Sequence, residues 1–286
     1  TLISQRYTWH RGGMSDPFQP CEGQFNCTRD LLRSTAPYGI SILFSTKSAN
    51  LYDCWQWLDP DLHTFQLSVT NVDNRRDIEP NVPDIEARVE LFKKLKQLSF
   101  RVGIRIQPFI PGVSTLEIVK RFPEADHFTL EGLKIVPQNK EHKEWIFQTF
   151  GLKSSDFTQM GLLNLKPEIR VEMYRPFVEY FEEHGISYSL ADNDLHHCGN
   201  SCCCCGDTLV SKATGFNNTA LCHQHGDYTL ADVKHALFIE RVGDCKCNQL
   251  FTSNRQEGCV TVQDFFEKRF DRKSSPFSPK FLYHEE

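Results

Sequence analysis

The sequence predicts an α/β chain: a partial (β/α)6 TIM-like barrel with a cysteine-rich C-terminal extension. Three observations lead there. Short apolar runs alternate with segments of helical periodicity, no hairpin signal separates consecutive strand runs, and polar and charged residues gather directly after those runs. Strands joined through helices form parallel sheets, and a parallel barrel collects its reactive groups at the C-terminal ends of its strands. A doubly wound open sheet is the alternative reading of the same alternation.

Residues 2–9 are the first strand run and lead into Arg11-Gly12-Gly13-Met14-Ser15-Asp16-Pro17-Phe18-Gln19-Pro20. Two glycines after a strand allow close backbone approach to a ligand, with the Ser15 hydroxyl and the Asp16 carboxylate beside them. The same composition also suits a plain connector. A short helix at 27–32, capped around Thr28, precedes a strand at 40–46 whose continuous apolar character fits burial on both faces. That strand ends in Thr46 and Lys47. Residues 51–58, with Trp55 and Trp57, read as a helix packed on it.

The alternating run 64–70 is the next strand and opens on the polar loop 71–83, where Glu79 is either a ligand contact or a loop carboxylate paired with Arg75. Pro83 starts a helix with Asp84 and Glu86 in its first turn, as the helix dipole prefers. It buries Ile85, Val89, Phe92 and Leu95 and turns Lys93, Lys94 and Lys96 to solvent. Residues 102–108 form a strand stopped by Pro108. A helix at 114–122, a strand at 127–130 running into Glu131, and helices at 142–150 and 175–184 follow, the last with Pro176 in its first turn and Gly185 past its end. Residues 186–190 are the last strand, leading to Asp192 and Asp194, which face the barrel mouth or cap the loop. The segments 12–16, 46–47, 68–79 and 107–108, with Glu131, therefore converge on one mouth.

A chain of 286 residues can bury one large core, or such a core and a small appendage. The formal net charge of -5 argues against a general electrostatic nucleic-acid binder, while a local basic groove remains compatible with it. No apolar run approaches the ~20 residues of a membrane helix, so a soluble, cytoplasmic protein with no membrane partner is expected. Of the 12 cysteines, all but Cys21, Cys27 and Cys54 follow residue 197. The consecutive cysteines at 202–205 pair poorly with one another and suit thiolate ligation in a reducing compartment. A secreted, oxidised protein is the competing reading, with sequons at Asn26 and Asn217. Cys198, Cys202, Cys205 and Cys222 are the candidate metal ligands, for an auxiliary iron–sulfur cluster first, zinc second, with disulfides as the third outcome. The expected domains are the barrel at 1–195, a Cys/His-rich metal-binding extension at 196–260, and a C-terminal helix and tail at 261–286, with helix starts at Thr229 and Thr261.

In order and spacing, Gly12-Gly13-Met14-Ser15-Asp16-Pro17-Phe18, Phe44-Ser45-Thr46-Lys47-Ser48, Gln66-Leu67-Ser68-Val69-Thr70, Arg75-Arg76-Asp77-Ile78-Glu79-Pro80 and Arg105-Ile106-Gln107-Pro108 resemble the radical S-adenosylmethionine superfamily, in its spore photoproduct lyase-like branch. The resemblance covers the strand ends of the first half of the chain. It implies that Gly12 and Gly13 receive the methionine amino group, that Ser15 and Asp16 hold the nucleoside or methionine part, and that Lys47 neutralises the methionine carboxylate. Ser68 would serve the ribose, with Thr46, Asn71, Glu79 and Gln107 completing the set. It also implies a [4Fe-4S] cluster on a Cys-x3-Cys-x2-Cys motif upstream of Gly12. No cysteine precedes Cys21, and Cys21 and Cys27 have the wrong spacing, so those ligands are expected ahead of Thr1. The implied reaction is reductive cleavage of S-adenosylmethionine to a radical that abstracts hydrogen from an unknown substrate, with a flavodoxin or ferredoxin as electron donor. Gly13 and Met14 stand where the lyase carries its hydrogen-donating cysteine, which argues against thymine-dimer repair. Two other readings are a non-catalytic metal-binding or scaffold protein on a degenerate barrel, and a nucleic-acid repair or modification enzyme.

Overall fold

The computed structural model of the chain describes residues 8–13, 15–192, 194, 195, 198–201, 205, 206, 209 and 261. Six parallel strands make the main sheet: β1 (Trp9–Arg11), β2 (Ile42–Thr46), β3 (His63–Ser68), β4 (Arg101–Phe109), β5 (His127–Gly132) and β9 (Tyr188–Leu190), in that spatial order. The connecting helices are α1 (Glu22–Phe25), α2 (Cys27–Thr35), α3 (Ile85–Gln97), α4 (Glu117–Arg121), α5 (Lys140–Phe150) and α6 (Pro167–Glu183). Among the described residues no helix is long and apolar enough to cross a membrane.

The period of two along each strand sorts the side chains onto two different faces. One face contributes Phe44, Phe65, Leu67, Ile104, Ile106, Phe128 and Leu130 to a single core that also contains Leu32 of α2, Phe92 of α3, Ile118 of α4 and Phe181 of α6. Each such side chain contributes roughly 1.5–3 kcal/mol by leaving water. Helices from four crossovers thus pack on the same face, the winding of a barrel wall and not of a doubly wound sheet. The other face is polar, carrying Ser45, Gln66, Arg105, Thr129 and Ser189. Its lower part is covered by the chain beyond β9: Leu209 packs with Leu43 and Cys205, and its carbonyl accepts from the Thr64 hydroxyl at 2.8 Å. Cys198 lies in the main core.

Several expectations need correction. The first strand reaches Arg11, because Trp9, His10 and Arg11 pair with Ile42, Leu43 and Phe44. The start of α2 is not capped by Thr28; the buried Glu22 carboxylate accepts from the backbone N–H groups of Thr28 and Arg29, and the Thr28 hydroxyl donates to the Pro17 carbonyl. Residues 52–57 form a 3-10 helix. The helix at 114–122 is confined to Glu117–Arg121, because Ser114 is used otherwise, its hydroxyl donating to the Thr70 carbonyl and accepting from the Ile110 N–H. Pro176 is interior to α6, which starts at Pro167, where a missing N–H costs nothing. Lys94 lies 3.9 Å over the Trp55 ring, and Lys96 pairs with Asp126 at 2.7 Å, so two of the three lysines on α3 have protein partners.

A hairpin is also present. The strands β6 (Lys134–Ile135), β7 (Phe157–Met160) and β8 (Leu162–Leu165) form an antiparallel sheet in the order β6-β8-β7, turning at Gly161 with φ +83°. With α5 it encloses a second small core around Ile110, Leu133, Ile146 and Phe157. Cys202, Cys222, and the helices and tail expected beyond residue 209 lie outside the described residues.

Candidate functional site

The polar face opens at the C-terminal ends of β1 to β5 into a cavity of about 530 Å³. Its rim begins at Gly12, where φ is +114° and a β-carbon would stand 2.1 Å from the Ser45 carbonyl oxygen. Glycine is therefore required by the approach of β1 to β2. Gly13 has nothing within 4 Å of where its β-carbon would be, so its backbone is open to the cavity. Phe18, fully buried with its ring centroid 5.3 Å from that of Phe44, anchors the far end of the loop in the core.

Asp16 ties this loop to the end of β2. Its Oδ1 accepts from the Thr46 hydroxyl at 2.6 Å and the Phe18 N–H at 2.9 Å, and its Oδ2 accepts from the Lys47 N–H at 2.7 Å. The Lys47 ammonium, one-third exposed, lies against Glu79 Oε1 and donates to the Gln107 carbonyl at 3.1 Å. The Thr70 hydroxyl supports the same arrangement with donor distances of 3.2 Å to Glu79 and 3.1 Å to Gln107. Behind Glu79 sits Arg88 of α3, its Nη1 donating to the Ser68 carbonyl at 2.9 Å and lying 4.0 Å from Glu79 Oε2. Burial pulls the Arg88 guanidinium below its ordinary range, against the opposing pull of the Glu79 charge.

The far wall is a fixed polar array. The Arg105 guanidinium donates to Gln66 at 3.1 Å and to the Gln107 side chain at 2.5 Å, and pairs with Glu131, which Lys134 also meets. Gln66 accepts from the Ser45 hydroxyl at 3.1 Å, and Ser45 in turn lies 2.7 Å from His10 Nε2. Gln66 donates onward to Thr129 at 3.1 Å. Each strand places one member of this array two residues from a neighbour on the same face, so the arrangement follows from strand periodicity.

Of the ten cofactor contacts expected, Gly12, Gly13, Ser15, Asp16, Thr46, Lys47, Ser68 and Gln107 line the cavity together with Pro108 and Glu131. Glu79 reaches it through Lys47. Its partner is not Arg75, which pairs with Asp77 at 2.5 Å. Asn71 is directed elsewhere: its Oδ1 accepts from the N–H groups of Asp73 and Arg75 and shapes the loop. Asp192 and Asp194 brace the fold away from the cavity. Arg170 grips Asp194 through both nitrogens at 2.8 and 2.5 Å, while Asp192 accepts from the Tyr174 hydroxyl at 2.6 Å and from the Gly132 N–H. Burial and the Asp192 charge raise the Tyr174 hydroxyl well above its ordinary value. His10, Ser45 and Arg105 line the cavity without having been singled out. Counting back by twos from Gly12, Lys47 and Gln107 would have found them.

No family model matches the chain. Over 109 residues it is 28% identical to an uncharacterized protein of Acidianus two-tailed virus, covering 37% of this chain and 36% of the relative. Among solved structures it is similar to spore photoproduct lyase complexed with dinucleoside spore photoproduct, at 15% identity and a TM-score of 0.48, covering 64% of this chain and 60% of that one. It is also similar to SuiB of Streptococcus suis, at 12% identity and a TM-score of 0.43, covering 64% of this chain and 38% of that one. The chain thus spans about a third of the length of the curated relative it matches and 60% of the lyase chain.

Proposed function

We propose that this mouth binds S-adenosylmethionine and that the chain is the barrel part of a radical S-adenosylmethionine enzyme, acting on a substrate held in the same cavity. The observation that carries the reading is convergence. Motif residues following β1 and β2 and ending β3, with Gln107 of β4, meet around one cavity in the order and spacing of the family they resemble. Its volume lies in the range of small-molecule sites, roughly 300–1,000 Å³.

The chemistry of the donor set fits the ligand. Lys47 offers an ammonium to the methionine carboxylate, the open backbone at Gly13 lets the amino end come close, and the Ser68 hydroxyl suits a ribose. Asp16 acts through the loop, holding Gly13 and Ser15 at the mouth by clamping Thr46 and Lys47. Arg105 and Lys134 share Glu131, which fixes the far wall. In an enzyme of this family the electron for cleaving the ligand's sulfonium would come from a reduced [4Fe-4S] cluster, itself reduced by a flavodoxin or ferredoxin. No cavity-lining residue is a cysteine, and no group of three potential metal ligands occurs among the described residues. The described residues of this mouth therefore do not fit the cluster itself, and they serve the ligand alone.

Isothermal titration of the anaerobically purified chain with S-adenosylmethionine tests the reading. Saturable binding is expected, weakened about tenfold or more in Lys47→Gln, since a charge-assisted hydrogen bond contributes roughly 1.5–3 kcal/mol. Absence of binding, or binding indifferent to Lys47→Gln, refutes it.

A further inference from the structure

The cation offered to the ligand is already engaged. Lys47 lies against Glu79 Oε1, and the Glu79 side chain is only 9% exposed. Glu79 stands between two cations and hydrogen-bonds to one of them. Toward Arg88, which is 3% exposed, the approach stops at 4.0 Å. Among the described residues, Glu79 Oε2 and Arg88 Nε are buried without a hydrogen-bond partner. The carboxylate and the guanidinium are thus 4.0 Å apart at Oε2 and Nη1, too far for a hydrogen bond, and each keeps one buried polar atom without a partner beside a small cavity of about 10 Å³ that both residues line. A buried polar group left unpaired is costly, so closing that gap is favourable once Glu79 is no longer drawn toward Lys47.

We propose that Arg88 is a positioning residue that receives Glu79 when a ligand carboxylate takes Lys47. The inference rests on the reading of the mouth as an S-adenosylmethionine site. Binding is then an exchange of ion pairs: the ligand carboxylate replaces Glu79 at the ammonium, and Glu79 Oε2 closes the 4.0 Å separation from the Arg88 guanidinium to hydrogen-bond distance. No covalent bond changes and charge is conserved. Arg88 also holds the Ser68 carbonyl, so the exchange is registered at the residue assigned to the ribose. The specificity that follows is for a ligand bearing a carboxylate. Without Arg88, the buried Glu79 loses the guanidinium behind it, while Arg75 and Arg76 nearby are paired with Asp77 and Asp84, and it competes with the ligand for Lys47.

Titration calorimetry with S-adenosylmethionine and its decarboxylated analogue, on wild type, Arg88→Gln, Glu79→Gln and the double variant, tests the exchange. Arg88→Gln should weaken S-adenosylmethionine about tenfold or more beyond any loss seen for the analogue, which shares the ribose at Ser68 and so reports the effect of the lost Arg88–Ser68 contact. Adding Glu79→Gln should restore S-adenosylmethionine binding, because the neutral amide no longer competes. Equal loss for both ligands, or a double variant as weak as Arg88→Gln, overturns the exchange. Should Arg88→Gln fail to fold, Glu79→Gln decides alone: it should bind S-adenosylmethionine at least as tightly as wild type, and weaker binding overturns the proposal. Wild type that binds neither ligand overturns the reading of the mouth, and the exchange with it.

Discussion

Replacing Gly12 by alanine puts a carbon where the structure has no room for one. The added β-carbon would lie 2.1 Å from the Ser45 carbonyl oxygen, 2.9 Å from its carbonyl carbon and 3.0 Å from its β-carbon. The obstacle is backbone of β2 inside the sheet, so no flexible side chain can give way. β1 would have to retreat by about 1 Å to reach ordinary contact. The positive φ adds roughly 1–2 kcal/mol for a residue with a side chain. Loosening about two backbone hydrogen bonds of the β1–β2 ladder adds roughly 0.5–1.5 kcal/mol each. The total is about 2–5 kcal/mol, a fall on the order of 10 °C in melting temperature. Gly13→Ala is the internal control: its β-carbon meets nothing within 4 Å, so its stability should stay within about 0.5 kcal/mol of wild type. Thermal and urea unfolding followed by circular dichroism measure both. A Gly12→Ala protein as stable as Gly13→Ala refutes the close-approach argument.

His63 should make stability fall at mildly acidic pH. Its buried Nδ1 accepts the Asp59 N–H at 2.9 Å, which requires the neutral ring, and burial holds its pKa below the ordinary 6.5. The unfolded chain therefore takes up a proton first, so the contribution is present above the ordinary value and is lost as pH drops through the depressed one. Urea unfolding between about pH 7 and about pH 5 should show a smaller loss in His63→Gln than in wild type, and equal losses would refute the assignment. Cys54 should be inert in the folded protein. Burial first, then the charges of Glu22 and Asp53, push its thiol up to about 12, whereas Cys21 and Cys27 are exposed. Iodoacetamide at about pH 8, read by peptide mass spectrometry, should modify Cys21 and Cys27 while sparing Cys54 until the chain unfolds; equal labelling contradicts this.

Features set by local pattern were legible in the sequence. β2, β3 and β4 are compact apolar or alternating runs, and α3 carries its buried stripe at helical spacing with acids at its start, so each can be read from neighbours a few residues away. The mouth was legible because its members follow strand ends, and strand ends are visible as punctuation by Gly, Pro and polar residues. What escaped depends on partners distant in the chain. Glu79 has Arg75 four residues away, yet the ammonium that reaches it comes from the end of β2. The β7–β8 hairpin turns on Gly161 alone, without a two-residue turn signature. Pro176 resembles a helix start, while the true start at Pro167 is fixed by Arg170 and Tyr174 reaching Asp192 and Asp194 beyond β9. Arg105 belongs to the cavity because the parallel register sets it against Ser68 and Thr129.

The covered lower part of the polar face imposes a rule on inheritance. A β-carbon at Gly103 would lie 2.6 Å from the Leu209 side chain, one at Gly206 would enter the His127 ring, and one at Gly199 would press on the backbone at Ser189. At Gly103 and Gly206 the obstacle is a side chain of another element, whereas at Gly199 it is backbone that no substitution removes. A lineage that enlarged residue 103 would have to shrink or shift residue 209, while Gly206, at φ +87°, is fixed by its backbone as well as by the His127 ring. Positions far apart along the chain are bound to change together, and a record of such paired changes among relatives would trace the path of this segment across the sheet.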